Sequence, residues 1–229
     1  MPRDRSTPPL IAPSILSADF AAMGEECRGV LEHADAAGRA DLLHLDVMDG
    51  HFAPNLTMGP DMCRALRRVF PAAFLDVHLM VHDPAMFIER FADAGANNLT
   101  FHIEAVDEVQ VGPMADKIRS IGASAGLAIN PPTPVERVMP HLEKIDMLLV
   151  MSVNPGYSGQ AFIPEVLEKV RAVRKKLKPI QRVQMDGGIN VGNAGAVREA
   201  GCGCIVAASA VFGVPALQRP GVIRALRGL

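Results

Sequence analysis

Short apolar runs recur along this chain, and each is followed by a stretch in which apolar positions return at helical spacing. That rhythm is the signature of repeated strand–helix units. Strands are expected at residues 10–14, 42–47, 73–78, 98–103, 124–129, 147–151, 182–185 and 204–207. Helices such as those at 60–69, 84–94, 109–121, 134–143, 163–176 and 193–200 are expected between them. Pro84, Pro134 and Pro164 stand near helix starts, where a missing N–H costs little, and Gly95, Gly122 and Gly201 just past helix ends. Eight such units within 229 residues predict an α/β fold, a TIM (β/α)8 barrel in a single domain over residues 10–229. Residues 1–9 are expected to be a short disordered lead-in.

One run breaks the apolar pattern in an informative way. From Asp41 to Met48 polar and apolar residues alternate, so His44, Asp46 and Met48 share one strand face and Leu43, Leu45 and Val47 the other. A buried charge is costly unless it is paired or bound to a metal. In a TIM barrel, function collects at the C-terminal ends of the strands. Taken in chain order, those ends supply Ser14, then His44, Asp46 and Met48, then His78 and Met80 in DVHLM. FHIE follows with His102 and Glu104, which read as a satisfied histidine beside a carboxylate and receive no role. Asn130, Met151, then Asp186 with Gly187 and Gly188, and finally Ser209 complete the set.

His44, Asp46, His78 and Asp186 come from three strands and converge at one barrel end. Two imidazoles and two carboxylates suit one divalent ion such as zinc, iron, manganese or cobalt. The competing reading is a set of separate salt bridges; the lack of nearby basic residues favours metal. The turns containing Gly156 to Gly159, Gly187-Gly188 and Ala208-Ser209 fall after the last three strands, where barrels commonly bind phosphate. Met48, Met80 and Met151, judged as residues in a chain with 12 methionines, read as core filling.

A net charge of -2 offers no basic footprint for nucleic acid and no polybasic membrane signal. No apolar window is continuous enough for a spanning helix. Four scattered cysteines without a CxxC pair point to reduced thiols and a cytoplasmic protein. No Walker A or GxGxxG fingerprint indicates a nucleotide.

The segments APSILSADF, HLDVMDGHFAPN, DVHLMV, FHIE, NPPTP, VMSVNPGYSGQ, DGGIN and VAASAVFG occur in an order and spacing that resembles the ribulose-phosphate 3-epimerase family, from about Ala12 to Gly213. The resemblance implies metal-dependent interconversion of ribulose 5-phosphate and xylulose 5-phosphate through a cis-enediolate, within the pentose phosphate pathway. It implies His44, Asp46, His78 and Asp186 as metal ligands, with Asp46 and Asp186 also the acid/base pair. Ser14 and His78 would contact substrate, and Met48, Met80 and Met151 would cap the reacting centre in place of filling core. Gly156, Ser158, Gly159, Gln160, Gly187, Gly188, Ala208 and Ser209 would hold the phosphate end, and a homo-oligomer is expected.

Two positions depart from the family's usual pattern. PGYSGQ stands where PGFGGQ is common, and VAASA where VAGSA is common, so Ser158 and Ala208 put side chains on glycine positions. These changes keep open an epimerase of another ketose phosphate, such as allulose 6-phosphate. A non-catalytic sugar-phosphate sensor is the alternative of a different class.

Overall fold

A computed structural model describes residues 8–229. The expected lead-in therefore lies, apart from Pro8 and Pro9, outside the described residues. Eight strands form one parallel sheet: β1 (Leu10–Pro13), β2 (Leu43–Met48), β3 (Leu75–Met80), β4 (Asn98–His102), β5 (Ser124–Ile129), β6 (Met147–Met151), β7 (Arg182–Asp186) and β8 (Cys204–Ala207). The sheet order runs β1-β8-β7-β6-β5-β4-β3-β2, and a bridge between Ser14 and His44 joins its two ends. Closure leaves no free sheet edge, and the architecture is a TIM barrel.

Around it lie α1 (Met23–Leu31), α2 (Pro60–Val69), α3 (Ile88–Asp93), α4 (Val111–Ser120), α5 (Leu167–Arg174), α6 (Ala194–Glu199), α7 (Ser209–Phe212) and α8 (Arg219–Arg227). No helix among the described residues is long and apolar enough to cross a membrane. The helix expected at 134–143 is instead two 3-10 turns, Val135–Arg137 and Met139–Lys144. Pro140 is the reason, since an α-helix begun at Pro134 would need an N–H there. Helices expected at 84–94 and 163–176 likewise open with 3-10 turns, at Pro84–Met86 and Pro164–Val166.

The two faces of each strand meet different surroundings. Leu43, Leu45 and Val47 of β2, with Leu75, Val77 and Leu79 of β3, point outward into one continuous apolar layer shared with the helices. Each such side chain contributes roughly 1.5–3 kcal/mol by leaving water. The inward face is polar where most barrels are aliphatic: His44, Asp76, Asn98, Thr100 and Gln184 are all buried there. Gly126 on β5 makes room for that layer, because a Cβ at this position would lie 2.1 Å from Thr100 Oγ1.

Candidate active site

Register places the key side chains in tiers. Across β2 and β3, His44 pairs with Asp76, Asp46 with His78, and Met48 with Met80. Each couple lies one inward-facing step nearer the C-terminal mouth than the last. Asp186, last residue of β7, pairs with Met151 of β6. Beyond it the chain turns through Gly187 and Gly188 with φ of 118° and 62°. A Cβ on Gly188 would lie 2.6 Å from the Gln160 carbonyl oxygen, so both conformation and space call for glycine.

One ligand atom from each of His44, Asp46, His78 and Asp186 falls within a shell in which all lie 4.8 Å or less apart. His44 Nδ1 is bonded to Asp76 Oδ2 at 2.8 Å. The other nitrogen, Nε2, is buried without a hydrogen-bond partner, 3.3 Å from Asp46 Oδ1. His78 Nδ1 lies 3.0 Å from Asp46 Oδ1 and 3.9 Å from Asp186 Oδ2. A spot where two ring nitrogens face two carboxylates calls for a positive charge, whether a proton or a metal ion. Nitrogen and oxygen donors in this number fit a divalent first-row metal, so these four side chains form a group that could hold one.

The electrostatics follow from burial and proximity. Burial opposes charge on His44, but the charges of Asp46 and Asp76 outweigh it and raise its pKa well above the usual histidine value. Burial lowers the pKa of His78 to about 4, so that ring is neutral. Asp46 is held below the ordinary carboxylate range despite burial, by His44 and His78. Asp186 moves the other way, to about 7, through burial and then repulsion from Asp46. Two neighbouring carboxylates with pKa values pushed apart are the usual arrangement of an acid and a base.

Behind the shell lies a second set of residues that the sequence reading passed over. Asp76, 1% exposed, accepts from His44 Nδ1, from Asn98 Nδ2 at 2.7 Å and from Gln184 Nε2 at 2.6 Å. The period-two pattern of DVHLM carried the signal, since Asp76, His78 and Met80 share a face. Ser14, expected to contact substrate, is fully buried, and its hydroxyl donates to Asp46 Oδ2 at 2.5 Å.

Above the shell a cavity of about 50 Å³ is lined by Asp46, Met48, Met80, Met151, Asp186 and the loops after β6, β7 and β8. Met48 and Met80 pack with Ala53 in a small apolar cluster apart from the main core. Gly156, Ser158, Gly159, Gly187, Gly188, Ala208 and Ser209 also line the cavity; Ser14, His44, His78 and Gln160 do not. Gln160 instead spans its own loop, donating to the carbonyls of Asn154 and Tyr157. Ala208 has φ of -97°, and among the described residues no non-glycine residue has positive φ, so neither Ser158 nor Ala208 occupies a conformation that requires glycine.

A closed parallel barrel with acids, imidazoles and methionines at its C-terminal mouth is a TIM-barrel enzyme. A sequence model of the ribulose-phosphate 3 epimerase family matches residues 10–212. Ribulose-phosphate 3-epimerase of Mycobacterium bovis is 50% identical over 208 residues, 90% of this chain and 86% of that protein. The enzyme of the same name from Escherichia coli is 46% identical over 209 residues, 90% of each. Similarity of fold alone extends to 3-hexulose-6-phosphate synthase from Salmonella typhimurium, with a TM-score of 0.69 at 14% identity over 96% of this chain and 97% of that one. The chain belongs to the ribulose-phosphate 3-epimerase family and is an isomerase of the epimerase class.

Proposed function

We propose that this barrel interconverts D-ribulose 5-phosphate and D-xylulose 5-phosphate, one of Asp46 and Asp186 removing the C3 proton and the other delivering a proton to the opposite face. The observation that carries the reading is that these two residues are the only carboxylates among the described residues lining the cavity, and that they reach it from separate strands, β2 and β7. Inversion beside a ketone requires a proton to leave from one face and another to return on the opposite face. One aspartate takes the C3 proton, negative charge spreads onto the substrate's oxygens as an enediolate, and the other aspartate returns a proton. Reversal of direction exchanges their roles.

Met48, Met80 and Met151 exclude water from the reacting carbon and offer no proton of their own. The phosphate end is placed against the loops after β6, β7 and β8, where glycine backbone can approach an anion closely. His44, Asp46, His78 and Asp186 would hold a divalent cation, which would supply positive charge to stabilise the negative charge that develops as the proton leaves. The reading takes residues 10–229 as one catalytic domain, acting in the cytoplasm as a homo-oligomer.

The test is incubation of metal-loaded protein with ribulose 5-phosphate in D₂O, followed by NMR. Xylulose 5-phosphate carrying deuterium at C3 is the expected product. Binding without exchange makes the protein a sensor, and a higher kcat/KM for a six-carbon ketose phosphate moves the reaction to that substrate.

A further inference from the structure

The inward face of β4 contributes a histidine that touches the cluster from outside. His102 Nε2 lies 2.8 Å from His78 Nε2, and both rings are fully buried. On its far side His102 Nδ1 lies 3.1 Å from Glu104 Oε2. The other oxygen of Glu104 accepts the Asn130 backbone N–H at 2.9 Å. Lys169 Nζ donates to the carbonyls of Asn130, Pro131 and Thr133, securing the loop that holds Glu104. The chain His78–His102–Glu104 therefore runs from the cluster to an anchored carboxylate.

Two imidazole nitrogens 2.8 Å apart need one proton between them, and its position has consequences at both ends. If His102 Nε2 carried it, a neutral His102 would turn a bare Nδ1 toward the Glu104 carboxylate, an unpaired and repulsive contact. With neutral rings, the other assignment moves the bare nitrogen to the cluster. His102 Nδ1–H donates to Glu104, His102 Nε2 accepts from His78 Nε2–H, and the lone pair of His78 Nδ1 faces Asp46 at 3.0 Å. That contact is repulsive only while the space between Asp46 and Asp186 is empty of positive charge. A cation there would take the lone pair and both carboxylates as donors, whereas nothing comparable relieves a bare nitrogen at the Glu104 end. Without the chain, His78 could place its proton on Nδ1 and donate to Asp46 at 3.0 Å, which removes it as a donor atom for a metal.

We infer that His102 and Glu104 are positioning residues that hold His78 in its metal-binding tautomer. The inference rests on the metal reading proposed above. Asp76 performs the corresponding task for His44 directly, so each histidine of the cluster has its own carboxylate, one adjacent and one through an intervening ring. Outer partners of this kind commonly change metal affinity about ten- to hundredfold.

Cobalt(II) provides the test. Affinity is read by chelator competition and the donor set by the visible d–d bands, with the melting temperature of each metal-free variant as the measure of folding. His102→Leu, which has no acceptor, is expected to bind cobalt about ten- to hundredfold more weakly with altered bands. His102→Gln, whose amide oxygen can accept from His78 Nε2–H, is expected to recover most of the loss. Glu104→Ala tests the far end of the chain on a less buried side chain and is expected to weaken binding in the same direction. Wild-type affinity in either His102→Leu or Glu104→Ala overturns the inference. Equal losses in His102→Leu and His102→Gln overturn it too, since they would make the ring a packing element. Wild-type protein that takes up no cobalt overturns the metal reading, and this inference with it.

Discussion

The Tyr157 hydroxyl donates to the Pro54 carbonyl at 2.7 Å, and 103 residues of chain separate the two. Asn55 Nδ2 adds a second staple to the Gly156 carbonyl at 2.9 Å. Together they draw the loop after β6 against the loop after β2, across the barrel mouth. The cavity beneath holds about 50 Å³, the room of a few waters, and outward movement of this loop is the expected way to admit a larger ligand.

The Tyr157 staple is available here because the chain has tyrosine where PGFGGQ would place phenylalanine. A hydrogen bond of this kind contributes about 0.5–1.5 kcal/mol, or roughly two- to tenfold in the balance between open and closed loop. Tyr157→Phe is expected to raise KM by about that factor while kcat stays level or rises, as product leaves more easily. Steady-state kinetics checks it; an unchanged KM makes the staple energetically irrelevant.

Asp186→Asn keeps the shape of a side chain whose pKa burial already raises to about 7. The variant is expected to melt within a few degrees of wild type, yet to lose about a hundredfold or more in turnover, because an amide cannot exchange the C3 proton. Retention of more than about a tenth of the rate would argue against its acid/base role.

Asp76→Ala removes the acceptor shared by His44, Asn98 and Gln184 in the barrel interior. Breaking a buried charged network from one side costs about 3–5 kcal/mol, since the remaining donors are left unpaired. Urea unfolding of the metal-free protein should show a loss of unfolding free energy of that size. A change below about 1 kcal/mol would mean that the layer readily finds other partners.

Glu104 sets a stability window at low pH. Burial alone would raise its pKa, but hydrogen bonds from His102, Thr133 and the Asn130 N–H bring it down from 4.5 to about 2. A depressed folded-state pKa contributes stability above the unfolded value and loses it as pH falls through the folded one. The stability gap between wild type and Glu104→Gln is therefore expected to be full above pH 4.5 and to shrink steadily toward pH 2. Denaturant titrations at several pH values measure it, and a constant gap would contradict the assignment.

All eight strands were legible in the sequence, because period-two alternation and apolar runs depend only on neighbouring residues. The boundaries drifted by a residue or two, as at β3, which begins at Leu75 and runs through His78 to Met80. Residues 134–143 show where local reading failed, because the Pro134 start signal outweighed the interior Pro140. The convergence of His44, Asp46, His78 and Asp186 was legible as well, because period-two spacing and strand order put all four on inward faces at one end of the barrel.

What the sequence could not decide is which buried groups face one another. His102 and Glu104 read as a local pair until barrel closure set His102 Nε2 against His78 Nε2. That the Ser14 hydroxyl meets Asp46 was equally invisible in the sequence, since it follows from the bridge that sets Ser14 beside His44 where β1 closes on β2. Both outcomes depend on distances between strands far apart in the chain, which arise only when the outward apolar faces pack and the sheet closes. Residue types along the chain set the kinds of donor and acceptor available; tertiary packing set which of them meet.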